Sequence, residues 1–332
     1  MNSKTSPEGE LLVGGQALIE GVMMRSPGAY GVAVRRPDGS ISFQRGKVAS
    51  LARRYPFLKL PILRGVAVLF QSLAIGIRAL NFSAEEAMVD PAKVAPAGEP
   101  GENGKKDKAS SWAIAGSMAF GLGVGVLFFI FLPLWLTHLA EDFLFRGQLS
   151  SLAFNLVDGG LRALFFLGYI WAISRMKDIH RVFQYHGAEH KVVFNYEKKL
   201  PLTVENARVQ SRLHPRCGTS FLLFVLLVSI VVFALIPKTA PFLVKFGGRL
   251  LLLPAIAGLS YEVLRFTAKH RAAPLFALLV APGLALQRIT TQEPTDDMLE
   301  VAIAALEEAL REDGLLPEAA ETEAPVPLSA PA

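Results

Sequence analysis

Apolar residues in this chain come mostly in long blocks. The stretch WAIAGSMAFGLGVGVLFFIFLPLWLTHLA, residues 112–140, carries no charge over a length well beyond the roughly 20 residues that a bilayer crossing needs. SLAFNLVDGGLRALFFLGYIWAIS (151–174) is nearly as apolar, although Asp158 and Arg162 interrupt its first half. TSFLLFVLLVSIVVFALI (219–236) and a block over about 250–264 complete a set of four expected spans.

Other segments show a period. AYGVAVRRPDGSISFQRG (29–46) alternates at Val32, Val34, Ile41 and Phe43 around Asp38-Gly39, which predicts a β-hairpin with a tight turn. Residues 60–82 are apolar but place Arg64, Gln71 and Arg78 on one side of a helix, a spacing that suits an interfacial or re-entrant helix better than a span. In 294–313, Met298, Val301, Ala302, Ala305 and Leu306 share one face, Thr295 is placed to cap, and Asp296 and Asp297 suit the first turn, so an amphipathic helix is predicted. Residues 273–287 are apolar but split by Pro282-Gly283, and are expected to dip into the membrane surface. The Pro-, Ala- and Glu-rich 83–110 reads as a flexible linker, and 314–332 as a disordered tail.

The predicted fold class is therefore mainly α. It is a polytopic integral membrane protein with about four transmembrane helices, a small N-terminal β-hairpin element and amphipathic helices on the cytoplasmic side. Five regions follow: an N-terminal interfacial element (1–82), the linker, a four-span domain (111–272) with a cytoplasmic loop at 175–217, a C-terminal interfacial segment (273–313) and the tail.

Composition agrees. The chain has 332 residues, of which 52% are hydrophobic and only 19% charged. Its net charge of +5 lies in Lys and Arg beside the apolar blocks, so these are membrane flanks and nucleic acid is excluded as a partner. Lys and Arg concentrate in 105–108, 175–216 and 265–271, which puts both termini and the 175–216 loop in the cytoplasm. The expected location is a plasma membrane, with the lipid bilayer as partner. No cleavable signal peptide is expected, and the single Cys217 excludes an internal disulfide.

Four of the six histidines, 180, 186, 190 and 214, fall within 35 residues. In His186-Gly-Ala-Glu189-His190 a helix would bring both imidazoles to one face, with a glutamate beside them. That is the arrangement in which paired histidines hold zinc and the glutamate takes a proton from water. His214 and Cys217, in HPRCGTSF, are offset so that both can converge from a turn. The metal ligands expected are His186, His190, His214 and Cys217, with Glu189 as general base. Arg25 or Arg216 would bind an anionic substrate or stabilise developing negative charge. The cofactor is a divalent ion, zinc first among the candidates.

Bland readings stand beside these. The loop histidines can be exposed or bind lipid phosphates, Glu189 can pair with Arg181 or Lys191, and Cys217 can be an inert core residue. Glu20 and Arg25 read as a structural pair within a glycine-rich stretch, and Glu262 as a partner of Arg265 one turn on.

The motifs GGQALIEGVMMR, YHGAEHKVVFNYE, HPRCGTSF and APGLALQRITTQEPTDDMLEVAIAAL resemble those of the YqhQ-like bacterial membrane proteins, from about Val13 to Leu310. That family is a domain of unknown function labelled predicted metal-dependent enzyme, with relatives in plastids. The resemblance implies a multi-span protein of the bacterial inner membrane and names no substrate. The leading expectation is a metal-dependent, hydrolytic enzyme at the cytoplasmic face, with an unidentified substrate or protein partner. The alternative is a scaffold or assembly factor whose four ligands close a structural zinc site. A transporter ranks third, because no span carries paired charges along a path.

Overall fold

The computed structural model describes residues 13–48, 51, 55–88, 108–269 and 274–317. Most of the expected linker (89–107) and tail (318–332) lies outside the described residues.

The N-terminal element is larger than one hairpin. Strands β1 (Gly14–Leu18), β2 (Gly21–Arg25), β3 (Ala29–Arg35) and β4 (Ile41–Lys47) form an antiparallel meander in that order. The predicted hairpin is β3–β4, with Val32 opposite Gln44. The glycine-rich stretch before it supplies β1 and β2, whose turn holds Glu20 at φ +51°.

Ten α-helices follow among the described residues: α1 (Leu63–Ala87), α2 (Lys108–Val126), α3 (Leu132–Phe143), α4 (Ser151–Ile173), α5 (Lys177–Glu197), α6 (Val204–Arg208), α7 (Gly218–Phe233), α8 (Phe242–Lys269), α9 (Pro274–Thr290) and α10 (Asp296–Glu312). A π-helical turn, Leu127–Phe131, joins α2 to α3. Among the described residues, four helical stretches are long and apolar enough to cross a membrane: Leu63–Ala87, Ala119–Phe143, Ser151–Ile173 and Phe242–Thr267. The number matches expectation, but the membership differs. Helix α7 has only 16 residues and falls short, whereas α1 qualifies because its few polar groups do not interrupt a continuous 25-residue helix.

Each face of the sheet buries one apolar set. Val22, Met24 and Ala33 pack with Tyr185, Ala188 and Val192 of α5 and with Met298, Ala302, Ala305 and Leu306 of α10. The expected apolar face of the C-terminal amphipathic helix thus covers the sheet. Thr295 occupies its N-cap position, but the hydroxyl makes no capping bond. On the other face, Leu18, Met23, Val32 and Val34 meet Ile75 and Ala79 of α1. Asp313, just past α10, accepts hydrogen bonds from Ser26 Oγ and Gly28 N (both 2.9 Å), which ties the C-terminal helix to the β2–β3 connection. The N- and C-terminal segments therefore build one core, and the apolar helices are inserted between them.

Two expected ion pairs are replaced. Glu20 binds Arg181 of α5, and Arg25 instead donates to Ser72 Oγ of α1 (3.1 Å). Glu262 is paired with Arg64, whose Nε lies 2.6 Å from its carboxylate, so it joins α8 to α1.

Candidate metal centre

Helix α5 is continuous from Lys177 to Glu197, so His186 and His190 stand one turn apart on one face, with ring centroids 4.5 Å from each other. Cys217 is the N-cap of α7, where Thr219 N and Oγ1 approach its sulfur at 3.4 and 3.2 Å. Cys217 Sγ lies 3.2 Å from His186 Nε2. One ligand atom each from His186, His190 and Cys217 falls within 4.8 Å of the other two.

The main chain sets the direction of both imidazoles. His186 Nδ1 lies 2.8 Å from the Thr290 carbonyl, and His190 Nδ1 lies 2.5 Å from the Arg212 carbonyl. A carbonyl only accepts, so each Nδ1 carries the proton and each Nε2 presents a lone pair to the shared centre. His190 Nε2 is buried and has no hydrogen-bond partner among the described residues. Such an atom is costly to leave unanswered, and a metal ion would answer it.

Glu189 completes the arrangement. Its Oε2 lies 3.6 Å from His190 Nε2 and 3.9 Å from His186 Nε2, and its residue is only 6% exposed. The cations once weighed as its partners are engaged elsewhere: Arg181 with Glu20 and Lys191 with Glu293. Among the described residues its only ionic neighbours are the two imidazoles. A buried carboxylate with no Lys or Arg beside it among the described residues favours positive charge in the shared centre.

Two glycines make this geometry possible. A Cβ on Gly187 would lie 2.0 Å from the Gln292 carbonyl oxygen, so only glycine lets the segment after α9 run close enough for Thr290 to reach His186. Gly15 likewise lets β1 lie against Glu189, whose Cγ would be 3.0 Å from an added Cβ.

His214 is not brought into the group. Its Nδ1 accepts from Arg216 N (3.2 Å), its Nε2 faces Glu197 Oε1 at 3.4 Å, and its backbone is clasped at both N–H and carbonyl by the Gln287 amide. Arg216 is ion-paired with Glu197. Arg216 lines the same cavity of about 390 Å³ as the histidines and Cys217, with β1 as one wall and Leu222 of α7 at its edge. Arg25 lies beyond that wall, in a second cavity of about 360 Å³ that shares Val13 to Gln16 with the first. Burial pushes the Arg25 guanidinium below its ordinary pKa.

Sequence reasoning missed Thr290, Arg212 and Gln287, because two of them act through backbone carbonyls. Only the quoted stretch QRITTQEP hinted that this segment mattered.

The family model described as "Protein of unknown function (DUF1385)" matches residues 60–312. The chain is 41% identical to "Uncharacterized protein YqhQ" of Bacillus subtilis (strain 168) over 309 residues, covering 91% of this chain and 93% of that protein. No solved structure matches. The chain belongs to the DUF1385 family, and its resemblance to YqhQ-like proteins holds across most of its length.

Proposed function

We propose that this member of the family is a metal-dependent hydrolytic enzyme embedded in the bacterial inner membrane, with both termini and its metal centre on the cytoplasmic side. The observation that carries the reading is the convergence of three ligand atoms with fixed tautomers, His186 Nε2, His190 Nε2 and Cys217 Sγ, beside the buried Glu189 carboxylate. Two imidazoles and one thiolate suit zinc, and a three-ligand protein set leaves a position open, as catalytic zinc sites do. When bound there, zinc supplies Lewis acidity and lowers the pKa of a coordinated water toward neutrality. Glu189 is placed to take the proton, and the β1 wall and Leu222 limit the access of bulk solvent. Arg216, neutralised by Glu197, orients the loop that carries Cys217. Arg25, behind the β1 wall, would meet only an anionic part of the substrate that extends into the second cavity.

The scaffold reading needs four protein ligands. His214 faces Glu197, so only Glu189 remains to close a structural site.

Elemental analysis and cobalt substitution of the detergent-purified chain test the proposal. Wild type should hold roughly one ion per chain, and His186→Ala and His190→Ala should lose it. His214→Gln should retain it. The cobalt form should show a thiolate charge-transfer band that disappears in Cys217→Ala, and added azide should alter its visible spectrum by entering the open position. An ion-free wild type after reconstitution overturns the metal reading. A cobalt spectrum indifferent to azide that becomes azide-sensitive in Glu189→Ala would favour the structural site, closed by Glu189.

A further inference from the structure

At the other end of the helices from Cys217, the apolar bundle encloses a second polar group. Helix α7 runs from Gly218 to Phe233, so about 24 Å separates its two ends. Near the far end, Asp158 of α4 binds Arg162 (Nη2 to Oδ2, 2.9 Å) and Arg249 of α8 (Nη1 to Oδ1, 2.8 Å). The two guanidiniums also lie over the Phe233 ring, at 4.6 and 5.1 Å from its centroid. Lys245, one turn before Arg249, sits 4.6 Å above the Phe154 ring and 3.1 Å from His138 Nε2. Glu141 is paired with Lys238.

The charges do not balance. Among the described residues, Arg162, Arg249, Lys245 and Lys238 face the buried Asp158 and Glu141, with the exposed Asp142 acting on His138 from outside, and all of the first six but Lys238 are less than 8% exposed. The Nε atoms of both arginines are buried without a partner. Excess charge within an apolar bundle is expensive and marks functional sites, and unsatisfied guanidinium donors match the oxygens of an oxyanion.

We propose that this cluster binds a phosphate- or carboxylate-class oxyanion. Lys238, the half-buried cation of the group, lies toward the α7–α8 connection, and Arg162 also donates to Ser229 Oγ of α7 (3.0 Å).

The test is thermal unfolding of the full-length chain in neutral detergent. Sodium phosphate is titrated against sodium chloride at constant ionic strength, and nanodiscs of phosphatidylglycerol are compared with nanodiscs of phosphatidylcholine. A ligand bound only by the folded state raises the midpoint saturably. A rise of a few degrees with phosphate, absent in Lys245→Met, supports a site for a free anion. A rise only in phosphatidylglycerol, again absent in Lys245→Met, supports occupation by a lipid headgroup. No saturable rise in either arm, or a rise that survives in both Lys245→Met and Arg249→Gln, overturns the proposal.

Discussion

The two ends of the helical bundle bury polar groups with opposite deficits. At the Cys217 end, lone pairs and a carboxylate converge and lack a cation. At the Phe233 end, guanidinium and ammonium groups gather around too few carboxylates and lack an anion. The means of assembly differ as well. The first site is oriented by backbone carbonyls, whereas the second is held together by ion pairs between side chains on separate helices. Charge that a fold buries but does not balance is therefore a guide to what binds there, and its sign tells which class.

The largest expected effect separates the two ends by removing a carboxylate from each. Asp158→Asn leaves two buried guanidiniums without their shared anion, and should destabilise the protein by about 3–5 kcal/mol in denaturant titrations. An effect below about 1 kcal/mol would mean that Asp158 is not the hub of its cluster.

A backbone change probes the metal end. Gly187→Ala forces a methyl group against the Gln292 carbonyl, which should cost about 1–3 kcal/mol. By shifting Thr290 away from His186 it should also weaken metal binding about 10–100-fold, measured by competition with a chelator. Unchanged affinity would show that the Thr290 carbonyl does not orient the ligand.

The smallest effect sharpens the contrast. Glu189→Gln in metal-free protein removes a buried carboxylate that has no Lys or Arg partner, so stability should stay within about 1 kcal/mol of wild type or rise. A loss as large as that of Asp158→Asn would show that Glu189 has a compensating cation, and would erase the difference between the two ends.

Local pattern made part of this legible. The apolar blocks announced the long helices, the alternation at Val32, Val34, Ile41 and Phe43 announced β3–β4, and the offset of His186, Glu189 and His190 announced that these side chains share one helical face, because all three signals are local in sequence. The rest depends on partners far apart in sequence. Asp158 and Arg249 are 91 positions apart and Arg64 and Glu262 are 198 apart, so Asp158 and Arg162 read only as interruptions, and Arg265 only as the nearest cation. Periodicity showed that 294–313 had an apolar face but not what covered it, and the sheet proved to be the cover. His214 has suitable chemistry and spacing for a ligand, and the Gln287 clasp that turns it toward Glu197 leaves no mark in its own neighbourhood.

The Thr290 carbonyl that orients His186 has a consequence for how the protein is made. The ribosome delivers His186 more than a hundred residues before Thr290, and the strands well before the helix that covers them. A growing chain therefore exposes its histidines without the acceptor that directs one of them, and its sheet without half of its core. If the proposed metal centre forms, competence to take up the ion comes with the last helices to emerge, and a chain cut short anywhere before α9 ends should lack a finished centre.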